Sequence, residues 1–230
     1  GIILWPSWWS VPFWLIYGVL YGSASDSRWH ECGHKTAFKT PIMNTIVYNI
    51  ASFMLIRSPT VWRASHVRHH TDTVIVGRDP EIVAMRPPDL GRIVLNLFGI
   101  LDTYTLTKRM FLHASGRIDP EEATYIRTTD HTRIFRIARI WLAIYTLTIG
   151  LAVWMETILP LMVIGLPLIY GAWHHVMTVL IQHLVLAENV TDPLLNTQSA
   201  LLNPISLFTS LHMNHTVDPS IFTIEPTSTI

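Results

Sequence analysis

The sequence predicts a mainly α-helical integral membrane protein: a helical bundle of about three to four spans, carrying a cytosolic helical cap that holds clustered histidines. Three observations predict it. Half of the 230 residues are hydrophobic and only 14% are charged, against about a quarter in an ordinary soluble domain; the mean hydropathy is +0.34. All sixteen Lys and Arg lie between Arg28 and Arg139, while the acids run from Asp26 to Glu225. The histidines gather in short groups that follow apolar segments. Zero formal net charge supplies no basic field for a nucleic acid. Cys32 is the only cysteine, which excludes a disulfide framework and a cysteine-rich zinc site. Residues 1–230 read as a single domain, with no internal repeat and no low-complexity tract.

The elements follow in order. Trp5, Trp8 and Trp9, with Pro6 and Pro12, suggest an interfacial loop, and these tryptophans with Trp14 are expected to anchor it. Phe13 to Ala24 is apolar and uncharged, most of one span, and runs into His30-Glu-Cys-Gly-His34. Ile42 to Ile56 is apolar but short, with Asn44 and Asn49 inside it, and fits an interfacial or re-entrant helix. Residues 57–92 are polar and hold four prolines, an extramembrane stretch. Ile93 to Phe111 reads as one surface helix. Residues 113–133 are polar, with a helix start expected at Asp119-Pro120-Glu121-Glu122. The chain starts at Gly1 rather than Met, so a first span is expected upstream; the ending also reads as a truncation.

Ile140 to Met155 is an uninterrupted uncharged run preceded by Arg133, Arg136 and Arg139, primarily topology signals. After Glu156 and Pro160, Leu161 to Leu186 carries no formal charge but holds His174, His175 and His183. These segments predict a helical hairpin that leaves the basic side and returns to it. Clustered Lys and Arg mark the cytoplasmic side, so the middle of the chain belongs there. The first span then delivers His34 to that side, 57–92 lies on it, and the last span delivers His183 to it.

His30 and His34 are spaced i, i+4, which on a helix puts both on one face about 40° apart. In His66-Val-Arg-His69-His70, His66 and His70 share a face and His69 lies beside them. Histidine near a membrane is costly unless it has a task, and the two groups together point to a metal site. Imidazole suits zinc, copper, iron and nickel. Five or more imidazoles exceed the four ligands of a structural zinc site, which favours two metals and, beside a bilayer, oxygen chemistry on a lipidic substrate. Ligand imidazoles need acceptors behind them; Glu31, Asp72, Asp79 and Glu188 are candidates. His113 and His131 read as surface residues, Cys32 as a small buried one, and His174 and His175 as packing or interfacial positions.

At these residues the chain resembles the membrane fatty acid desaturase superfamily. The resemblance rests on HECGH (30–34), WRASHVRHHTDT (62–73), GRDPE (77–81) and QHLVLAENVTD (182–192), and covers most of 28–226. It implies a non-haem di-iron centre on the cytosolic side, with O₂ as co-substrate, that removes hydrogen from a fatty acyl chain and leaves a double bond. It implies the bilayer as setting, in a bacterial inner membrane or endoplasmic reticulum, and an electron donor of the ferredoxin or cytochrome b5 type. His30, His34, His66, His69, His70 and His183 sit where the family has iron ligands.

The third histidine box departs from the family pattern. Aligned without a gap, its positions carry Thr216, Pro219 and Ser220, none of which replaces an imidazole. A one-residue slip makes His215 a ligand, with His212 and Asp218 nearby. Pro193 stands where the family has histidine, and Leu194 and Gln198 where it has arginine. Two other readings follow: a related membrane di-iron hydroxylase or ketolase, and an inactive desaturase-like protein that binds metal or lipid. A metal transporter is disfavoured, because the histidines gather at one face and do not line a path through the spans.

Overall fold

The computed structural model describes residues 1–72, 75–81, 89–174 and 176–177, with the backbone alone at 23–27. Within them the chain is helical and contains no strand. Helix α1 (Val11–Gly33) starts with a proline in its first turn, where the missing N–H costs nothing. It ends at His34, followed by Lys35 in the left-handed region at φ 63°. Helix α2 (Pro41–Met54) also begins on proline and packs along α1. Asn44 is no interruption. Its buried side chain accepts from the Phe38 N–H (3.0 Å) and donates to the carbonyls of Phe38 (2.7 Å) and Lys35 (3.2 Å), which stitches the α1–α2 turn. Asn49 donates back to Thr45 O within its own helix.

Helix α3 (Pro59–Asp72) follows after Ile56, another left-handed residue. Trp29 and Cys32 of α1, Tyr48 and Ala51 of α2, Leu55, and Trp62 of α3 form one apolar core. Trp29 Nε1–H donates to Ser52 Oγ, and the Tyr48 hydroxyl donates to Pro59 O at 2.6 Å, so the buried polar groups of this core are partnered. The lone cysteine is buried there, as expected.

The surface helix expected over 93–111 is two helices, α4 (Leu90–Leu97) and α5 (Ile100–Ala114). Gly99 separates them at φ 64°, and a Cβ there would meet Leu168 O and Ala172, so both conformation and space require glycine. The helix start expected at 119–122 becomes only a 3₁₀ turn, Glu122–Thr124. Glu122 is turned inward onto His113, and the next long helix, α6 (His131–Trp154), begins further on. Arg139 of α6 donates from Nε to Ala114 O at 2.9 Å, which satisfies a terminal carbonyl of α5.

Thr128–Trp154 is the one stretch among the described residues long and apolar enough to cross a membrane. The second arm of the hairpin differs from expectation. Its described part includes two short helices, α7 (Leu159–Val163) and α8 (Pro167–Tyr170), broken by Gly165 at φ 100° and restarted on prolines, with further helical residues at 172–174 and 176–177. Helix α8 packs on α1, where Gly18 and Gly171 bring the two backbones together. Of the N-terminal tryptophans, Trp8 and Trp9 are exposed, while Trp14 is buried edge-on to Tyr17. The outward faces of α1, α2 and α6 are apolar, including Ile16, Leu20, Ile46, Ile50, Leu147 and Val153.

Candidate metal centre

Four histidines converge where the end of α1 meets α3. His30 and His34 meet edge to face, one turn apart at the end of α1, their ring centroids 4.7 Å from each other. His66 and His70 do the same on α3 at 4.5 Å. Across the helix contact His66 lies 4.8 Å from His30 and 4.9 Å from His34, and His70 lies 5.2 Å from His34. One nitrogen from each of the four falls within 4.8 Å of every other. His66 is the hub: its Nε2 is 3.0 Å from both His34 Nε2 and His70 Nε2. One ring nitrogen carries one proton or one lone pair, so it cannot serve two such contacts fully. A shared cation can. Two nitrogens each about 2.1 Å from one ion, at right angles, are about 3.0 Å apart. The donor set therefore suits a metal once its outermost nitrogens, up to 4.8 Å apart, close by up to about 1.4–1.8 Å.

The ring positions are fixed from behind. Trp62, one turn earlier on α3, stacks on His66 with centroids 4.2 Å apart and planes inclined 21°. Glu81 Oε2 accepts from His66 Nδ1 at 3.0 Å, and its Oε1 accepts from Ser65 Oγ at 2.9 Å. His69 lies outside the four-residue group. Its Nδ1 bonds both carboxylate oxygens of Asp79, at 2.9 and 3.0 Å.

Electrostatics separate the two kinds of histidine. Burial, with the neighbouring imidazoles adding, pushes His66 far below the ordinary histidine range. Burial and then His30 lower His34 to about 4, against the pull of Glu31. Both rings are thus held neutral, the state a metal requires. Burial also opposes charge on His69, but Asp79, with Glu81 behind it, more than offsets this and raises its pKa. Burial pushes the Glu81 carboxyl up, while His69, Ser65 and Arg57 pull it down.

Of the candidate acceptors, Asp79 holds His69 as expected. Asp72 does not serve a histidine; it pairs with Arg78 at 2.8 Å and Arg68 at 3.7 Å. Glu31 accepts from Thr36 Oγ1 and lies 3.5 Å from His30 Nδ1. Glu188, His183, His212, His215, Asp218 and the altered third box lie outside the described residues. Glu81 was not among the candidates, although it ends the GRDPE stretch; only the fold brings it to His66. His113 is a correction. It is buried (3% exposed) on α5, bonded to the buried Glu122 (1% exposed) at 2.6 Å, and not a surface residue.

Against this geometry, the family model for fatty acid desaturases matches residues 6–218, nearly the whole chain. The chain belongs to the fatty acid desaturase family. Two curated plant relatives are similar over part of it. The Delta(12)-fatty-acid desaturase FAD2 of Vernicia fordii is 30% identical over 100 residues, 41% of this chain and 26% of the relative. The omega-6 fatty acid desaturase, endoplasmic reticulum isozyme 1, of Glycine max is 31% identical over 129 residues, 49% of this chain and 32% of the relative. The matched part thus spans about a quarter to a third of those relatives' lengths. No solved structure gives a significant match.

Proposed function

We propose that this chain is a fatty acyl desaturase that works with O₂ at a histidine-ligated di-iron site on the cytosolic membrane face. The observation that carries the reading is the convergence of His30, His34, His66 and His70 within a chain of the desaturase family. These four imidazoles would hold one iron. His69, oriented by Asp79, and His183 and His215 from the C-terminal part are the proposed ligands of the second. When bound, the iron supplies O₂ activation and removal of hydrogen from an unactivated C–H bond of the acyl chain. The chain's own residues hold and orient: His66 presents Nε2 to the cluster while Trp62 and Glu81 fix its ring, and the α1–α2–α3 core keeps water from its rear.

The same proposal takes 1–230 as one domain with about three spans and a cytosolic cap. The apolar outward faces of α1, α2 and α6 and the confinement of Lys and Arg to 28–139 support it, since lipid-facing helices expose apolar residues and cytoplasmic segments collect positive charge. The setting is a bacterial inner membrane or endoplasmic reticulum. The substrate is a fatty acyl lipid, and electrons come from a ferredoxin or cytochrome b5-type donor.

The test is metal analysis and product analysis of the detergent-purified protein, supplied with iron, acyl lipid, O₂ and a reduced donor. Two irons per chain and a new double bond are expected. A hydroxyl or carbonyl product would replace this reading with the hydroxylase or ketolase one. Thr216, Pro219 and Ser220 favour an inactive protein as the second reading; fewer than two irons and no product would establish it.

A further inference from the structure

The segment 79–81 touches two of the three α3 histidines at the nitrogens that face away from the metal cluster or its neighbourhood. His66 Nδ1 lies 3.0 Å from Glu81 Oε2, and His69 Nδ1 lies 2.9 Å from Asp79 Oδ2. An imidazole offers a lone pair at one nitrogen only when its proton sits on the other. A carboxylate that accepts the Nδ1–H of His66 therefore leaves the Nε2 lone pair facing His34 and His70. Glu81 is itself held at two further points. Its Oε1 accepts from the hydroxyl of Ser65, the residue before His66. Its backbone N–H donates to Asp79 Oδ1 at 2.9 Å. The two carboxylates are thus joined by one short backbone link, and each faces a different histidine of the same helix.

We infer that Glu81 is a positioning residue for the metal centre: with Asp79 as its anchor, it sets the proton position and ring orientation of His66, the hub of the four-imidazole cluster. The inference rests on the metal-centre reading above. A residue that merely tied the loop to α3 would affect stability and leave metal affinity alone. A positioning residue affects affinity in a folded protein, because ligand orientation and basicity come from the acceptor behind the ring.

The experiment is a Co²⁺ titration, followed by visible absorption, on the whole chain in detergent. Parent, Glu81→Ala, Glu81→Gln and Glu122→Gln are compared, with helix content and melting temperature recorded for each. Glu122 is buried on His113 and serves as a control outside the four-histidine cluster. Glu81→Ala is expected to bind about 10–100-fold more weakly. Glu81→Gln should fall between it and the parent, since its amide carbonyl still accepts the Nδ1–H. Glu122→Gln should bind like the parent. An affinity of Glu81→Ala within about threefold of the parent, with or without a lower melting temperature, overturns the inference. Should Glu81→Ala not accumulate as folded protein, Glu81→Gln decides alone: binding weaker by about threefold or more supports the inference, and parental binding overturns it. A parent chain that binds no Co²⁺ refutes the metal-centre reading itself, a result distinct from either.

Discussion

Replacing His113 by leucine isolates a buried histidine–carboxylate pair that lies outside the four-histidine cluster. His113 Nε2–H donates to Glu122 Oε2 at 2.6 Å, and the two side chains are 4% and 1% exposed. Leucine fills the ring's space and leaves the Glu122 carboxylate without this donor. The remaining cation is Arg109, whose Nε lies 3.7 Å from Glu122 Oε1 while its NH2 is engaged with Glu121 at 2.7 Å. Breaking one side of a buried pair costs about 3–5 kcal/mol. Arg109 softens the loss, so about 3 kcal/mol is expected for His113→Leu. Glu122→Gln keeps an acceptor for the same N–H and exchanges a charge-assisted bond for a neutral one, at about 1 kcal/mol. For a chain of this size 3 kcal/mol corresponds to a fall of about 6–12 °C in melting temperature. The assay is thermal unfolding in detergent by circular dichroism, with Co²⁺ affinity measured alongside. The pair braces α5 against the segment before α6, beside the Val61–Ile126–Ile134 cluster behind α3. Stability should therefore fall while affinity holds. The reasoning fails if His113→Leu melts within about 2 °C of the parent, or if Glu122→Gln proves the more damaging of the two.

Three further outcomes are expected. His66→Ala should weaken metal binding by roughly 10²–10³-fold, since about 10–16 kcal/mol divided over four ligands is about 2.5–4 kcal/mol each; His131→Ala is the control, and equal affinities for the two would remove His66 from the site. Gly171→Ala places a Cβ on the Gly18 backbone, which cannot swing aside as a side chain would, so about 1–3 kcal/mol should be lost from the α1–α8 contact; a parental melting temperature would refute that close approach. Metal-free protein should lose stability to denaturant as pH falls from about 6.5 toward 4. His34, lowered to about 4, and His66, lowered further, take up protons on unfolding in that window, so the unfolded state binds more protons and acid favours it. His69, raised by Asp79, opposes the trend as one group against two, and a flat or inverted profile would contradict the assignment.

Local sequence determined the parts of this protein that depend on local spacing. The i, i+4 steps of His30–His34 and His66–His70 alone place each pair on one helix face, and the structure has both pairs as read. The uncharged run after Arg139 likewise announced the long apolar helix α6, because length and hydropathy are local sums. The boundaries failed where a distant partner intervened. Ile93–Phe111 breaks at Gly99 because the backbone at Leu168 arrives there. Asp119–Glu122 does not start a long helix because Glu122 is captured by His113, nine residues back. Leu161 onward breaks at Gly165 and restarts on Pro167, signals that were present but outweighed by the apolar composition. Only the tertiary structure decided which acids serve which histidines. Asp72, within two residues of His70, turns away to Arg68 and Arg78, while Glu81, fifteen residues from His66, reaches its Nδ1. Hydrogen-bond partners lie about 3 Å away in space, and separation along a folded chain does not measure that distance. The spacing of the histidines was therefore legible in the sequence, and the carboxylates that stand behind their rings were not.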